Sequence, residues 1–469
     1  MNPNPERFRL QLILGLAGLI AAGLLLAGCR GVPTKTEKQS RADLKAVTQV
    51  YRPGERKASL PTLDTNATLG TFLTYAMLNQ PRVEAAYYDY AAAVERITVE
   101  RSLPDPRLSF ESDIADIVMT VMPGLMQEFP GPGKLKAAAN VATAESRTRY
   151  FAFESSVLQT AFSLKRAYYQ LWFLDENIRI NRQTLDLLAE LEEIARAQNA
   201  AGKVTLQDVY RAQIEQDQLT TEIENLEDSR RPLIAQLKGA LGLRREQADP
   251  PQPTRFESTP LDLNGDALLD TAFARNPRLK TMEADVRMAE AAIALARKSK
   301  VPDFSLGLMA DAKAAPTMFR PSAGMTLPVW RDKIAAQIAQ AQATKRAVEA
   351  RLTSEQIMVT VDFAMKSYDY REITRNLALL QDKLIPKARQ SLAVARAGYL
   401  AGQVDFFDLL DAERTLLSFQ LQEVEARTRR EIVLADLSLS IAGIAPEGAP
   451  LLPAATSTSA PASNQSTQH

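Results

Sequence analysis

Asp303-Phe304-Ser305-Leu306-Gly307-Leu308 puts an apolar side chain at every second position, and Pro106-Arg107-Leu108-Ser109-Phe110-Glu111-Ser112 does the same. A period of two marks a strand whose two faces meet different media. A return strand follows each segment. One is Leu125 to Phe129; the other runs from Phe319 to Leu327 and places Phe319, Ala323, Met325 and Leu327 on one face. A wall between lipid and water needs this division of faces. The chain offers only four such strands, whereas a membrane barrel needs at least about eight to close without unpaired edges in lipid. The reading is a barrel shared between chains. Phe129 and Trp330 stand at the strand-to-helix junctions, where aromatics either anchor at headgroups or pack into a core.

The strand pairs belong to a larger repetition with a period of about 200 residues, and such self-similarity sets the architecture. Asn79-Gln80-Pro81-Arg82 opens a helix as Asn276-Pro277-Arg278 does, and Leu103-Pro104-Asp105 closes it as Val301-Pro302-Asp303 does. Glu128-Phe129-Pro130 corresponds to Thr326-Leu327-Pro328. Further on, Ala201-Gly202-Lys203-Val204 matches Ala401-Gly402-Gln403-Val404, Asp208 falls where Asp408 does, and the halves finish at Leu241-Gly242-Leu243 and Ile441-Ala442-Gly443. Matched landmarks in one order imply internal duplication.

Between the strands and the glycine-marked turns nothing forces a helix to break. There is no proline from Pro132 to Pro232, and neither proline nor glycine from Pro328 to Pro386. An arm of roughly 60 residues would reach about 90 Å. Spaced small and apolar residues, such as Val141, Ala144 and Thr148, or Ile334, Ile338, Ala341 and Lys345, suggest helices packed side by side. Each half is read as a long helical hairpin turning at Gly202 or Gly402. Periodicity alone suits a soluble bundle or a fibrous tether equally well, and the strands decide against both.

Composition removes other classes of function. The 469 residues carry 56 basic and 56 acidic side chains, so no basic field is available for nucleic acid. The single histidine is His469 and the single cysteine Cys29, which excludes most hydrolytic triads and transition-metal catalytic centres. The expectation is a non-enzyme without a cofactor. Arg7 and Arg9 precede the apolar run from Leu10, and Leu26-Ala27-Gly28-Cys29 closes it with small residues suited to signal cleavage. This closure resembles the lipobox of bacterial lipoproteins. The resemblance implies a diacylglycerol on the Cys29 thiol, cleavage before it and an acylated new amino terminus, a stable anchor. By the same resemblance, Arg30 in place of an aspartate favours the outer membrane. An ordinary transmembrane anchor, or a cleaved signal with a chance cysteine, is the alternative. Later apolar runs all fall short of the roughly eighteen residues a spanning helix needs.

The expected organisation is a signal peptide over 1–28, a lipid-anchored polar extension over 29–65 running along the outside of the helices to about Pro61, a first repeat over 66–245 with its strand pair at about 106–129, a second repeat over 246–445 with its pair at about 303–328, and a disordered tail over 446–469 rich in Ala, Ser, Thr and Pro.

Taken together from Thr68 to Gly443, these features resemble the TolC family of outer-membrane efflux channels. The most specific match is Ala401-Gly402-Gln403-Val404-Asp405-Phe406-Phe407-Asp408-Leu409-Leu410-Asp411-Ala412. The resemblance implies a homotrimer of a Gram-negative outer membrane, with a twelve-stranded transmembrane β-barrel and an all-α tunnel of helical hairpins. It also implies a periplasmic adaptor contacting the turns at Gly202 and Gly402, and an inner-membrane pump of the resistance-nodulation-division type. Cargo would be small toxic compounds or metal ions, conducted passively. Carried over, Asp408 and Asp411, with Asp405 as the weaker candidate, would form carboxylate rings at the tunnel's periplasmic constriction, and residues three apart do share a helix face. The bland reading is solvated charge beside a turn. A periplasmic coiled-coil lipoprotein with a tethering role is the rival.

The first half departs from this pattern, keeping Asp208 but placing Arg211 where the second half has Asp411. The loop holding Asp113, Ile114, Ala115 and Asp116 is short, which disfavours a surface-receptor role. Gln127-Glu128-Phe129-Pro130-Gly131-Pro132-Gly133-Lys134 looks like the strand exit of members serving heavy-metal pumps. Met119, Met122 and Met126 offer thioethers suited to copper or silver, but the expected placement for them is lipid-facing or in loops.

Overall fold

A computed structural model describes residues 33–115, 118–253, 255–258, 265–311 and 318–451. Cys29, Arg30, the signal segment, Asp116, the Met119 side chain and the tail beyond 451 lie outside the described residues. The described elements are α1 (Lys35–Tyr51), α2 (Leu69–Asn79), α3 (Pro81–Arg101), β1 (Arg107–Ala115), β2 (Val118–Phe129), α4 (Lys134–Ala200), α5 (Leu206–Ala240), α6 (Gly265–Arg275), α7 (Pro277–Arg297), β3 (Phe304–Asp311), β4 (Met318–Met325), α8 (Arg331–Leu379), α9 (Ile385–Leu400) and α10 (Phe406–Ala435). A π-helical turn over Leu380–Leu384 joins α8 to α9 with Pro386 in the first turn of α9, and another over Asp436–Ile441 extends α10. The expected proline-free arm is a single helix of 67 residues, α4. Among the described residues, no helix is long and apolar enough to cross a membrane.

Two compact units are present. One comprises a segment ending at Lys45 together with Tyr88–Tyr150 and Thr281–Thr353; the other comprises Ala46–Tyr87, Phe151–Lys280 and a segment beginning at Ser354. The first unit contains one antiparallel sheet in the order β1-β2-β3-β4, so β1 and β4 are its edges. Asp113 to Ala115 lie within β1, opposite Val118 to Thr120, and are not loop residues. Backbone pairing carries both strands further than side-chain alternation does: the return strand begins at Val118, where the sequence pattern suggests Leu125.

The register gathers Leu108, Phe110, Leu125, Phe129, Phe304, Leu306, Leu308, Phe319, Ala323 and Met325 onto one face. Leu108, Phe110 and Phe319 are each about two-thirds exposed, at 65%, 67% and 65%. Trp330, just before α8, is 74% exposed, which rules out core packing within the chain. The opposite face carries Arg107, Ser109, Glu111, Glu128, Ser305, Arg320 and Ser322. Met122 and Met126 fall on this polar face, contrary to the lipid-facing or loop placement, because their even positions on β2 share a side with Gly124 and Glu128.

In the same unit, Ile334, Ile338, Ala341 and Lys345 are half-buried while most of the positions between them are exposed, as the spacing predicts. Lys345 pairs with Glu290 of α7 at 3.0 Å. The polar stretch expected along the outside of the helices is partly helical where it is described. Its residues from Lys35 form α1, whose fully buried Glu37 is held by Arg41 and by Arg101 of α3, each at 3.2 Å. Arg147 of α4 reaches Asp43 at 2.7 Å. Partnered charges let so polar a helix dock.

The second unit repeats one joint twice. At the end of α5, Gly242 adopts φ 70°, and Asn79 Nδ2 donates to the carbonyls of Leu241 and Gly242 at 2.9 and 3.2 Å. At the end of α10, Gly443 adopts φ 64°, and Asn276 Nδ2 donates to Ser440 and Ile441 at 3.2 and 3.0 Å. The structural counterpart of Leu241-Gly242-Leu243 is thus Ala442-Gly443-Ile444, one residue beyond the sequence match. A Cβ on Gly443 would sit 2.6 Å from the Arg275 carbonyl oxygen, while one on Gly402 would meet nothing within 4 Å. Gly402→Ala therefore costs only the left-handed backbone strain of about 1 kcal/mol, whereas Gly443→Ala adds a clash with a backbone that cannot yield. Thermal melting should show a drop for Gly443→Ala at least twice that for Gly402→Ala, and equal drops would remove this account of the joint.

Candidate functional site

The ends of the two hairpins lie in the second unit and share one apolar core. It contains Leu188, Leu191 and Ala195 of α4, Val209 and Ala212 of α5, Tyr399 of α9, and Phe406, Leu409 and Leu410 of α10. The turns are built alike. Gly202 and Gly402 stand at φ 68° and 70°, the left-handed conformation that ends a helix, and Lys203 N and Gln403 N donate back to Gln198 and Gly398 at 3.0 and 2.8 Å. Val204 and Val404 fold inward against the core. Both turn glycines are exposed, as a surface for docking requires.

Beyond the turns the symmetry fails. Phe406 is 1% exposed and 5.2 Å from the Tyr399 ring, whereas Leu206 at the matching position is 50% exposed. Asp405 occupies the N-cap position of α10, and Asp408 and Asp411 follow on its exposed side, opposite Leu409, Leu410 and Glu413. Asp405, Asp408 and Asp411 are all exposed. Asp208 is not the equivalent of Asp408: it is partly buried and lies 3.9 Å from Arg211. Burial and the nearby Asp405 push its carboxyl above the usual range, opposed by Arg211. Asp208 in turn, together with burial as the larger cause, pushes the Tyr399 hydroxyl up to about 12.

Sequence reasoning missed three features here. Arg414 of α10 pairs with Glu215 of α5, and Arg396 of α9 pairs with Glu190 of α4 at 3.2 Å. Glu192 accepts from Gln213 and Gln216 at 2.8 and 3.0 Å, fastening α4 to α5. Glu413 is 3% exposed, and burial, with Glu215 adding to it, raises its carboxyl to about 7, while Arg414 opposes the shift. The spacing Phe406, Leu409, Leu410, Glu413 does place Glu413 on the buried stripe. The three aspartates give the exposed face of α10 a negative edge that attracts cations. Among the described residues, no cluster of three or more His, Cys, Asp or Glu is arranged to hold a metal ion.

The Glu413 shift makes stability depend on pH. A group whose folded-state value lies near 7, against 4.5 when unfolded, binds more protons in the folded state between those values. Stability contributed by the protonated carboxyl is therefore lost as pH rises through about 7. Glu413→Gln should match the wild type in melting temperature near pH 4 and exceed it at pH 8, by the equivalent of about 1–3 kcal/mol. Parallel pH profiles for the two proteins would show that Glu413 does not titrate in this range.

A family model described as "Outer membrane efflux protein" matches residues 73–243 and 268–443. The chain is 23% identical over 372 residues to the cobalt-zinc-cadmium resistance protein CzcC of Cupriavidus metallidurans, covering 76% of this chain and 85% of that one. It is 25% identical over 336 residues to the probable outer membrane lipoprotein SilC of Salmonella typhimurium, covering 66% of this chain and 69% of that one. The fold is similar to that of the outer-membrane channel OprN, with a TM-score of 0.69 at 17% identity over 82% of this chain and 95% of that chain.

Proposed function

This chain belongs to the outer membrane efflux protein family, and from that premise we propose that it is the exit duct of a tripartite efflux system. Three copies close a twelve-stranded barrel and line a helical tunnel, through which small toxic compounds or metal ions pass without energy input by the duct itself. The two halves descend from a duplicated ancestor. Cys29 carries the lipid anchor in the outer membrane of a Gram-negative bacterium. A periplasmic adaptor docks at the turns of Gly202 and Gly402, and an inner-membrane pump, of the resistance-nodulation-division type, drives the cargo. The names of CzcC and SilC support heavy metals as one cargo class.

The observation carrying this reading is the four-stranded sheet with one bare apolar face and two open edges. Such a sheet suits lipid on one side, and its edges need partners that further copies can supply. Asp408 and Asp411, with Asp405 at the helix start, form the acidic constriction of the tunnel. Adaptor contact shifts the hairpin ends and moves the population from closed to open.

Single-channel conductance in planar bilayers tests this. The unaltered chain should give cation-selective steps, and Asp408→Ala combined with Asp411→Ala should raise the conductance or abolish block by divalent ions. Steps indifferent to the double change would put the constriction elsewhere. Silence from correctly inserted protein of both kinds would favour a tethering lipoprotein.

A further inference from the structure

The polar face of the sheet carries Met122 and Met126 of β2, Met309 of β3 and Met318 of β4 beside charged residues, serines and glycines. These are four of the chain's 12 methionines. The opposite face carries Met325 among its Leu, Phe, Ala and Pro, whereas these four methionines lie among polar neighbours.

The register concentrates three of these side chains. Met309 is directly opposite Gly124, and Met122 and Met126 flank that glycine on the same side of β2. Both are therefore diagonal neighbours of Met309. Gly124 leaves the space Met309 occupies: a Cβ there would lie 2.5 Å from Met309 Cγ and 3.3 Å from its Sδ. The Met309 sulfur thus rests over β2 between the other two. Residues two apart on a strand are about 6.8 Å apart, and each unbranched methionine side chain has three rotatable bonds to bring its sulfur to the middle. Gly307 clears the neighbouring position, where a Cβ would be 3.8 Å from Met126 Cβ. Met122 is 5% exposed and Met126 and Met309 are half-buried, while Met318, diagonal to Met309 on β4, is 53% exposed.

We propose that Met122, Met126 and Met309 form a thioether site for a soft monovalent cation of the copper(I) and silver(I) class, with Met318 as an outlying fourth sulfur. Three neutral sulfurs select soft ions over zinc(II) or cobalt(II), which take imidazole and carboxylate. The charges around the site balance, with Arg320 opposite Met309 and Arg107 opposite Met126, so the selection rests on the sulfurs. Glu128 offsets Arg107 at 3.4 Å, and Glu111 is opposite Met122. The proposal assigns a cargo class to the duct and rests on that reading only in taking the polar face to line the conducting path. The binding site itself does not depend on it.

The test is equilibrium dialysis of the purified full chain in detergent against silver(I) nitrate, comparing it with the triple variant Met122→Leu, Met126→Leu and Met309→Leu. Leucine conserves volume and shape, and matching circular dichroism and melting curves establish that the variant is folded. The wild type should retain one more silver ion per chain than the triple variant, or bind it at least tenfold more tightly. Silver K-edge absorption should show sulfur ligands that the variant lacks. Zinc(II) retention should be low and identical in both. If the triple variant fails to fold, Met309→Leu alone should weaken silver binding at least threefold. Equal silver binding by wild type and variant, no binding by either, or zinc(II) retention that falls with the methionines would overturn the site. Bilayer recordings separate the two readings: silver binding lost in the variant while the wild type never conducts keeps the site and removes the duct, whereas conduction with unchanged silver binding removes the site alone.

Discussion

Unpaired backbone groups at the edges of the sheet are the constraint on which the rest depends. A strand in lipid has no water to satisfy its amide and carbonyl groups, so every edge must be paired. Here β1 and β4 are edges, and the face that joins them carries exposed leucine and phenylalanine from one side to the other. Folding one chain cannot bury that face or complete those ladders. The sheet order shows how little freedom remains: each half of the chain contributes one adjacent hairpin, and β2 meets β3 across the two halves. In the proposed duct, further copies would set β1 of one beside β4 of the next and so complete the ladders by symmetry.

The helical unit solves a different problem with a device used once per half. A helix end leaves carbonyls without partners, and here an asparagine from a distant helix start supplies the donors. Asn276 is 2% exposed, and its Oδ1 also accepts from Arg278 N and Leu279 N, so one side chain finishes one helix and begins another. The glycine at the joint is needed twice over, for its left-handed backbone and for the close approach of Gln80 or Arg275. That requirement explains why Asn-Pro or Asn-Gln-Pro and the terminal glycine are among the landmarks visible in both halves of the sequence.

What was legible in the sequence follows from how local each signal is. The strands announced themselves because a period of two survives at Leu108, Phe110, Leu306 and Leu308 whatever lies next to them. The proline-free arms and the turn glycines were equally local. Helix α1 was not, since Glu37 reads as a solvated charge until Arg101, 64 positions later in the chain, is brought against it. Met309 was overlooked for the same reason: only the β2–β3 register puts it over Gly124. The buried Glu413 stood in the apolar stripe of α10, but a carboxylate in a stripe reads as an interruption unless its neighbours are known to enclose it. Side-chain roles set by partners in the other half of the chain were the part that local pattern could not supply.

The hairpin ends show where the repeat stops being a repeat. Phe406 enters the shared core and so turns Asp408 and Asp411 to the surface. Leu206 stays outside, and the corresponding acid, Asp208, turns in toward Tyr399 and Asp405. The two hairpins therefore offer different chemistry at equivalent heights, and an acidic constriction, as proposed, would draw on one of them alone. What fastens one hairpin to the other is also uneven in strength. The apolar core is well buried, but outside it Arg414 pairs with a largely covered Glu215, and Arg396 with Glu190 is exposed on both sides. Exposed pairs of this kind contribute about 0–1 kcal/mol each. In the proposed duct, an adaptor that replaced them with contacts of its own would loosen the turns while the core around Leu409 held, and a shift of a few kcal/mol is enough to exchange a minor conformation for a major one.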